Sequence, residues 1–259
     1  MLAAHADWLR RLRAGAEVAP LRPRAALWWQ AHEIGSVEPG MARQTGAGGL
    51  WREAAEGWRI EGGDLTASLE QLAFALRDAG LAHAWRNEQL AVGDAGGGVL
   101  GTVERAVVRV LGITTHAVHL AALALDGRHW VQQRALDKPN DPGLWDTLMG
   151  GMVPASDSLQ QALERETWEE AGLRLAQLRG LQWGGRVSTR RPAGDGQGFG
   201  YVVEHIDWYR CELPDGVVPD NQDGEVAQFA LLSPQEVVLR LLRDEFTREA
   251  ALILAQAGL

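Results

Sequence analysis

The stretch GGMVPASDSLQQALERETWEEAGL, Gly150 to Leu173, decides how the rest of the chain is read. Its second half has helical character from Ser158 to Ala171, and Gly172 is placed to end that helix. Within the helix Glu166 stands three residues before Glu169 and four before Glu170, so the three carboxylates share one face. Like charges at that spacing repel, and a hard divalent cation that prefers oxygen ligands, Mg²⁺ or Mn²⁺, offsets the repulsion. Taken alone, the triplet fits a solvated acidic face with Arg165 and Arg174 as partners better than a metal site. Its context reverses that preference.

Outward from this stretch the chain reads as alternating strands and turns. Upstream lie a long β-branched run, Ile113 to Leu125, a turn at Asp126-Gly127 and an alternating strand from Trp130 to Ala135. A loop at Pro139 to Gly143 precedes a short strand, Trp145 to Met149. Downstream, strands are expected at Gln182 to Ser188, Gly200 to Glu212 and Val226 to Leu232, and Ser233 caps a final helical region behind Pro234. The N-terminal part reads as a small α+β unit. A helix from Ala3 to Ala14, with Leu2, Leu9 and Leu12 as its apolar stripe, is preferred over a targeting peptide because Asp7 and Trp8 interrupt any long apolar core. Strand-like stretches at Ala26 to His32 and Gly35 to Val37 and a polar, Gly-rich passage follow. Next comes a helix from Leu65 to Gly80 that Thr66 or Ser68 can cap, and then a hairpin loop at Asp94 to Gly98. Two domains are therefore expected, residues 1–110 and residues 111–259.

Composition narrows the function classes. With 46% hydrophobic and 23% charged residues the chain matches an ordinary globular protein, and no apolar run is long enough to cross a bilayer. A net charge of −9 argues against a general nucleic-acid surface. Cys211 is the single cysteine, so an internal disulfide and a cysteine-based zinc site are both excluded, which fits a cytoplasmic location. His116 and His119, read as sharing one strand face, lack a third nearby ligand and are assigned a structural or substrate-facing role. With eleven tryptophans in the chain, Trp145, Trp183 and Trp208 are candidates to stack on a substrate ring, and none is singled out.

The context of the glutamate helix resembles the Nudix family, whose box is glycine, five residues, glutamate, seven residues, then Arg-Glu, an apolar residue, any residue, Glu-Glu, any residue, Gly and an apolar residue. Gly151, Arg165, Glu166, Glu169, Glu170, Gly172 and Leu173 fall on this pattern, whereas Asp157 replaces the early glutamate and Thr167 an apolar residue. The fragments Trp85-Arg86-Asn87-Glu88, Glu104-Arg105-Ala106, Thr115 to His119 and Asp223-Gly224-Glu225-Val226 with Phe229 are similar to a subgroup labelled thiamine-pyrophosphokinase-related. In that subgroup an extra N-terminal domain precedes the Nudix domain. The resemblance implies an α+β protein: a C-terminal Nudix α/β/α sandwich with a mixed sheet, behind a small α+β domain that selects substrate, caps the pocket or mediates a homodimer.

It also implies the chemistry. Gly150, through its carbonyl, with Glu166, Glu169 and Glu170, is expected to hold Mg²⁺, for which Mn²⁺ can substitute. Glu169 and Glu225 compete for the role of general base, and Arg165, the box arginine, pairs with the early acidic position to complete the catalytic set. Arg134, Arg186 and Arg190 are the expected phosphate binders, because a guanidinium fork donates two parallel hydrogen bonds. The expected substrate is a small-molecule diphosphate, thiamine diphosphate or its oxidised analogues, cleaved to the monophosphate. A nucleoside diphosphate linked to another group is the alternative within the same chemistry, and a non-catalytic Nudix-fold binding module the alternative outside it.

Overall fold

The computed structural model describes residues 2–45, 47–82, 84–94, 96–194 and 198–259. Helix α1 (Leu2–Ala16) leads into a first sheet built from two hairpins. β1 (Ala25–Trp29) and β2 (His32–Val37) pair antiparallel, and Glu38 then caps a short helix, α2 (Pro39–Gln44), accepting from the Gly40 and Met41 amides at 3.0 and 2.6 Å. β3 (Trp51–Ala54) and β4 (Gly57–Ile60) form the second hairpin, and β4 lies parallel to β1, giving the order β2-β1-β4-β3. The sequence suggested only a polar passage here. Four-residue strands show too little alternation to be read, and tertiary packing defines them: Trp51 and Trp58 are both buried, with ring centroids 5.3 Å apart.

Helix α3 (Leu65–Asp78) buries the expected apolar face of Leu65, Leu69, Leu72, Ala73 and Leu76 in one core with Trp58 and Ile60 of that sheet and with Val103. Its cap is Asp64 and not Thr66 or Ser68, which serve tertiary contacts instead. Thr66 Oγ1 accepts from the Thr102 amide at 3.0 Å, and Ser68 Oγ donates to the Glu61 carbonyl at 2.8 Å. The expected hairpin follows as β5 (Gln89–Gly93) and β6 (Val99–Glu104). Asp94 Oδ1 accepts from the Gly96 and Gly98 amides at 2.8 and 2.9 Å, while Ala95 lies outside the described residues.

The second sheet is mixed, as expected. β7 (Thr114–Ala124) is its centre: β8 (His129–Arg134) pairs antiparallel with its far end, and β12 (Tyr201–Leu213) pairs parallel along its whole length. The single strand expected from Trp145 to Met149 is two, β9 (Trp145–Asp146) on β8 and β10 (Met149–Met152) on β7. Thr147 marks the crossing, its amide donating to Asp146 Oδ1 and its hydroxyl to the Met149 carbonyl, both at 2.8 Å. Helix α4 (Leu159–Ala171) follows, then the long hairpin of β11 (Arg179–Pro192) and β12 (Tyr201–Leu213), then β13 (Val226–Leu232) on β8. α5 (Pro234–Leu241) and α6 (Arg248–Gln256) complete the chain. Alternation along β7 fixes the layers. Val118 and Leu120 face α4 through Ala162 and Leu163, whereas Ala117, with Ile206 and Trp208 of β12, faces Ile253 of α6. The result is the α/β/α sandwich.

Helix α1 belongs to this second layer of packing. Trp8, only 3% exposed, sits among Val237, Leu241, Phe246, Ala250 and Leu254, with Leu9 and Leu12 beside it. The start of the chain is thereby fixed to its last two helices. Truncating Trp8 empties a large well-packed volume, so Trp8→Ala is expected to lower unfolding free energy by about 3–5 kcal/mol in a urea titration. A loss below about 1 kcal/mol would show that α1 is not part of the cooperative fold.

Candidate active site

β10 sets Gly150 opposite His119 and Gly151 opposite Val118 on β7. Neither glycine has room for a side chain. A Cβ on Gly150 would lie 2.4 Å from His119 Cε1, and one on Gly151 only 2.0 Å from Glu166 Cδ. The missing Cβ of Gly151 is what lets the Glu166 carboxylate lie against the strand. α4 is held at both ends: Ser158 and Gln161 form a reciprocal capping box, and Gly172 adopts φ 64° where a Cβ would meet the Asp220 carbonyl at 2.5 Å.

Arg165 is the hub of the helix. Its Nε reaches Asp157 Oδ2 at 3.0 Å, and its Nη1 reaches Glu166 Oε1 at 2.9 Å and Glu169 Oε2 at 2.8 Å. The shorter Asp157 thus makes the brace expected of a glutamate. Burial disfavours the charge of Arg165, but Glu166, Asp157 and Glu169 outweigh it and raise its pKa. The other departure, Thr167, is buried with its hydroxyl satisfied, donating to the Leu163 carbonyl at 2.6 Å.

The three box glutamates are not equivalent. Glu170 is buried, and its Oε2 accepts from the Gly150 amide at 2.9 Å and from Gln132 Nε2 at 2.8 Å. Burial, helped by the neighbouring charge of Glu166, pushes its pKa up to about 8. Burial also raises the pKa of Glu166, against the pull of Arg165, while the Glu169 side chain is 41% exposed. Glu166 and Glu169 line an open cleft of ≈240 Å³, as does Gly150, whose amide holds the buried Glu170 behind the lining.

The same cleft also gathers fixed cations. Arg134 lines it, tied to the Asn140 carbonyl at 3.0 Å and to Asp146 at 3.7 Å. Lys138, the only lysine, also lines it and pairs with Glu225. Sequence reasoning gave Lys138 no role, although a lone lysine in an arginine-rich chain was a visible signal. Arg105 and Arg109 enter from the N-terminal side. Arg105 Nη1 bonds Glu88 Oε2 at 2.6 Å, the Arg105 amide donates to the Glu88 carbonyl at 2.9 Å, and the Arg86 amide donates to Glu104 Oε1 at 2.9 Å. The two fragments quoted for their resemblance therefore brace each other and present Arg105 to the cleft.

Two arginines are placed elsewhere. Arg186 and Arg190 project from the other face of the sheet, lining a separate groove, and Arg186 is held by Asp207 at 2.7 Å. The histidines do not share a face either, since residues three apart on a strand point to opposite sides. His119 lines the cleft and its Nδ1 meets Thr147 Oγ1 at 2.9 Å, whereas His116 faces His205 in the other groove, ring centroids 5.7 Å apart. Of the tryptophans, Trp145 and Trp208 are buried and Trp183 is 59% exposed, away from the cleft.

The donor set fits a hard divalent cation. Glu166, Glu169 and Gly150 offer oxygen ligands at one cleft wall, and Gly151 leaves the space that a carboxylate needs there. Among the described residues no three acidic, His or Cys side chains enclose an ion as they stand, because Arg165 draws the Glu166 and Glu169 carboxylates to itself.

The NUDIX domain family model matches residues 115–255, which is 141 of the 259 residues. The chain belongs to the Nudix family. The protein YJR142W of Saccharomyces cerevisiae is 30% identical over 183 residues, covering 66% of this chain and 53% of that protein. Nudix hydrolase 20, chloroplastic, of Arabidopsis thaliana is 30% identical over 187 residues, covering 71% of this chain and 49% of its own length. The chain thus spans about half the length of these relatives. The crystal structure of DR0079 from Deinococcus radiodurans superposes with a TM-score of 0.51 at 18% identity, over 65% of this chain and 98% of that one, and so shares the fold. No described helix is long and apolar enough to cross a membrane.

Gly151→Ala places a methyl group on the Glu166 carboxylate. The variant is expected to weaken Mn²⁺ binding at least about tenfold, as read by electron paramagnetic resonance of free Mn²⁺. Unchanged affinity would remove Glu166 from the ligand set.

Proposed function

We propose that this protein is a Mg²⁺-dependent hydrolase of diphosphate bonds, with Mn²⁺ able to substitute. The observation that carries the reading is one cleft holding Glu166, Glu169 and Glu225 together with Arg134, Lys138 and Arg105. Diphosphate hydrolysis needs a water in line with the scissile P–O bond and positive charge around the phosphoryl oxygens. Glu166, Glu169 and the Gly150 carbonyl would hold the metal, with the buried Glu170 holding the Gly150 amide behind them. When bound, the metal supplies charge at the phosphoryl oxygens and acidifies a water.

The chain's own side chains divide the remaining work. Arg134, Lys138 and Arg105 bind and orient the phosphates. Arg165 positions Glu166 and Glu169. Glu169 and Glu225, with side chains 41% and 44% exposed, are both open enough to take the proton of the attacking water, and Glu225 must leave Lys138 to do so. Residues 1–110, whose first helix packs on the C-terminal helices, are assigned as a unit that completes the cleft and selects substrate, a role supported by Arg105 and Arg109. Buried, unpaired Cys211 supports a reducing compartment, the cytoplasm. The narrower substrate, thiamine diphosphate or an oxidised analogue, is supported by the flanking fragments, two of which brace Arg105.

The test is a phosphate-release panel with Mg²⁺ over thiamine diphosphate, oxythiamine diphosphate, ADP-ribose and nucleoside di- and triphosphates. Turnover of at least one is expected. Glu169→Gln should lower kcat by about 100-fold or more while the thermal midpoint stays within a few degrees. No turnover of any member with Mg²⁺ or Mn²⁺ leaves a binding module as the better reading, and wild-type rates in the variant would remove the proposed chemistry from Glu169.

A further inference from the structure

The groove on the other face of the sheet is a space of its own. It measures ≈750 Å³, within the range of about 300–1,000 Å³ usual for ligand pockets, and shares no lining residue with the cleft. Both parts of the chain wall it: Ile34, Leu90 and Val99 from the N-terminal hairpins, and Val153, Pro154 and Leu159 from the loop and the start of α4. Val99 is 70% exposed, so apolar surface stands uncovered there.

The sheet side of the groove carries donors. β12 lies between β11 and β7, and the register sets Ser188 opposite His205 and His205 opposite His116, one row across three strands. Ser188 Oγ and His205 Nδ1 are 2.8 Å apart, and the two imidazole centroids 5.7 Å. Arg186 and Arg190 flank Ser188 on the same face of β11, because alternate residues of a strand point the same way. Register also decides which of them is neutralised. Arg186 stands opposite Asp207 and bonds it at 2.7 Å, whereas Arg190 stands opposite the apolar Val203 and makes no side-chain hydrogen bond or ion pair among the described residues. The acids that line the groove do not supply its partner: Asp157 holds Arg165 Nε at 3.0 Å, Asp94 accepts from the Gly96 and Gly98 amides, and the third, Glu33, forms no ion pair with it. Burial lowers the pKa of both imidazoles, and Arg186 adds to it in each case, while Asp207 opposes. The row therefore holds neutral imidazoles beside one uncompensated positive charge.

We propose that this groove is a second binding site, for a phosphate monoester with an apolar body. Arg190, His205 and His116 bring one donor side chain from each of three neighbouring strands to the three terminal phosphoryl oxygens, one more oxygen than a carboxylate offers. Ser188, donating to His205 Nδ1, leaves that ring's proton on Nε2 for the ligand. The apolar walls receive the organic group. The site stands apart from the cleft and does not depend on the hydrolase reading.

Histidine ring resonances of the 259-residue chain test this by NMR, with divalent metal removed by a chelator and three rings assigned from His116→Gln, His119→Gln and His205→Gln. Phenyl phosphate is the probe. It is expected to shift His116 and His205 together along one saturation curve with a dissociation constant below about 1 mM, to leave His119 in place, and to move the titration of both shifted rings to higher pH. Inorganic phosphate, which lacks the apolar body, and benzoate, which lacks the third oxygen, should each bind at least about tenfold more weakly. Arg190→Gln, a change at an exposed side chain, should weaken phenyl phosphate at least about tenfold with an unchanged urea midpoint. The comparison of the three ligands on the wild type stands whatever that variant does to the fold. Absence of any shift at His116 and His205, a shift at His119 alone, benzoate or inorganic phosphate binding as tightly as phenyl phosphate, or full affinity in Arg190→Gln would overturn the proposal. None of these readouts uses turnover, so phosphate release bears only on the cleft.

Discussion

The site depends on the close approach of a carboxylate to a strand that lacks two side chains. Gly150 and Gly151 leave room for His119 on one side and Glu166 on the other. With Glu166 so placed, Arg165 can reach Glu166, Glu169 and Asp157 at once, which orders the loop before the helix as well as the helix itself. That loop then docks the rest of the molecule, since the Ala155 amide donates to the Gln89 carbonyl of β5 at 2.7 Å. A change at Gly151 would be felt through Arg165 and the loop as far as the N-terminal hairpin.

The second consequence concerns how two units share one cleft. The segment that brings Arg105 and Arg109 to it is anchored on both sides. Arg24 bonds Ser36 Oγ at 2.9 Å and the Val110 carbonyl at 2.8 Å, and the Ser36 amide donates to the Leu111 carbonyl at 2.8 Å. On the other side the Tyr201 amide of β12 donates to the Arg109 carbonyl at 2.8 Å. Gly35 permits this approach, because a Cβ there would meet the Leu111 carbonyl at 2.4 Å. Ordered cations at a preformed cleft need little reorganisation when an anion arrives.

The sequence made the box helix legible because its signals are local: the Ser158 cap, the carboxylate spacing and Gly172 all lie within a few turns. The strands around it were legible where they are long and apolar, as in Ile113 to Leu125. The β3 and β4 hairpin was not, because its two tryptophans matter only once they meet. Arg186 and Arg190 drew attention by type and position, yet face was decided by register with β12, which pairs Arg186 with Asp207 and turns both away from the glutamates. The inner ends of the cleft, Glu204 and Arg109, come from segments nearly a hundred residues apart. No local pattern marks them.

The central claim is that the box carboxylates act through a bound divalent metal on a diphosphate. It is tested most directly by stripping the 259-residue chain with a chelator and following phosphate release across the substrate panel as Mg²⁺ is returned. Release should be absent in the stripped protein and should return with saturable Mg²⁺ dependence for at least one diphosphate. Undiminished release without metal, or none at any Mg²⁺ or Mn²⁺ concentration, would contradict it.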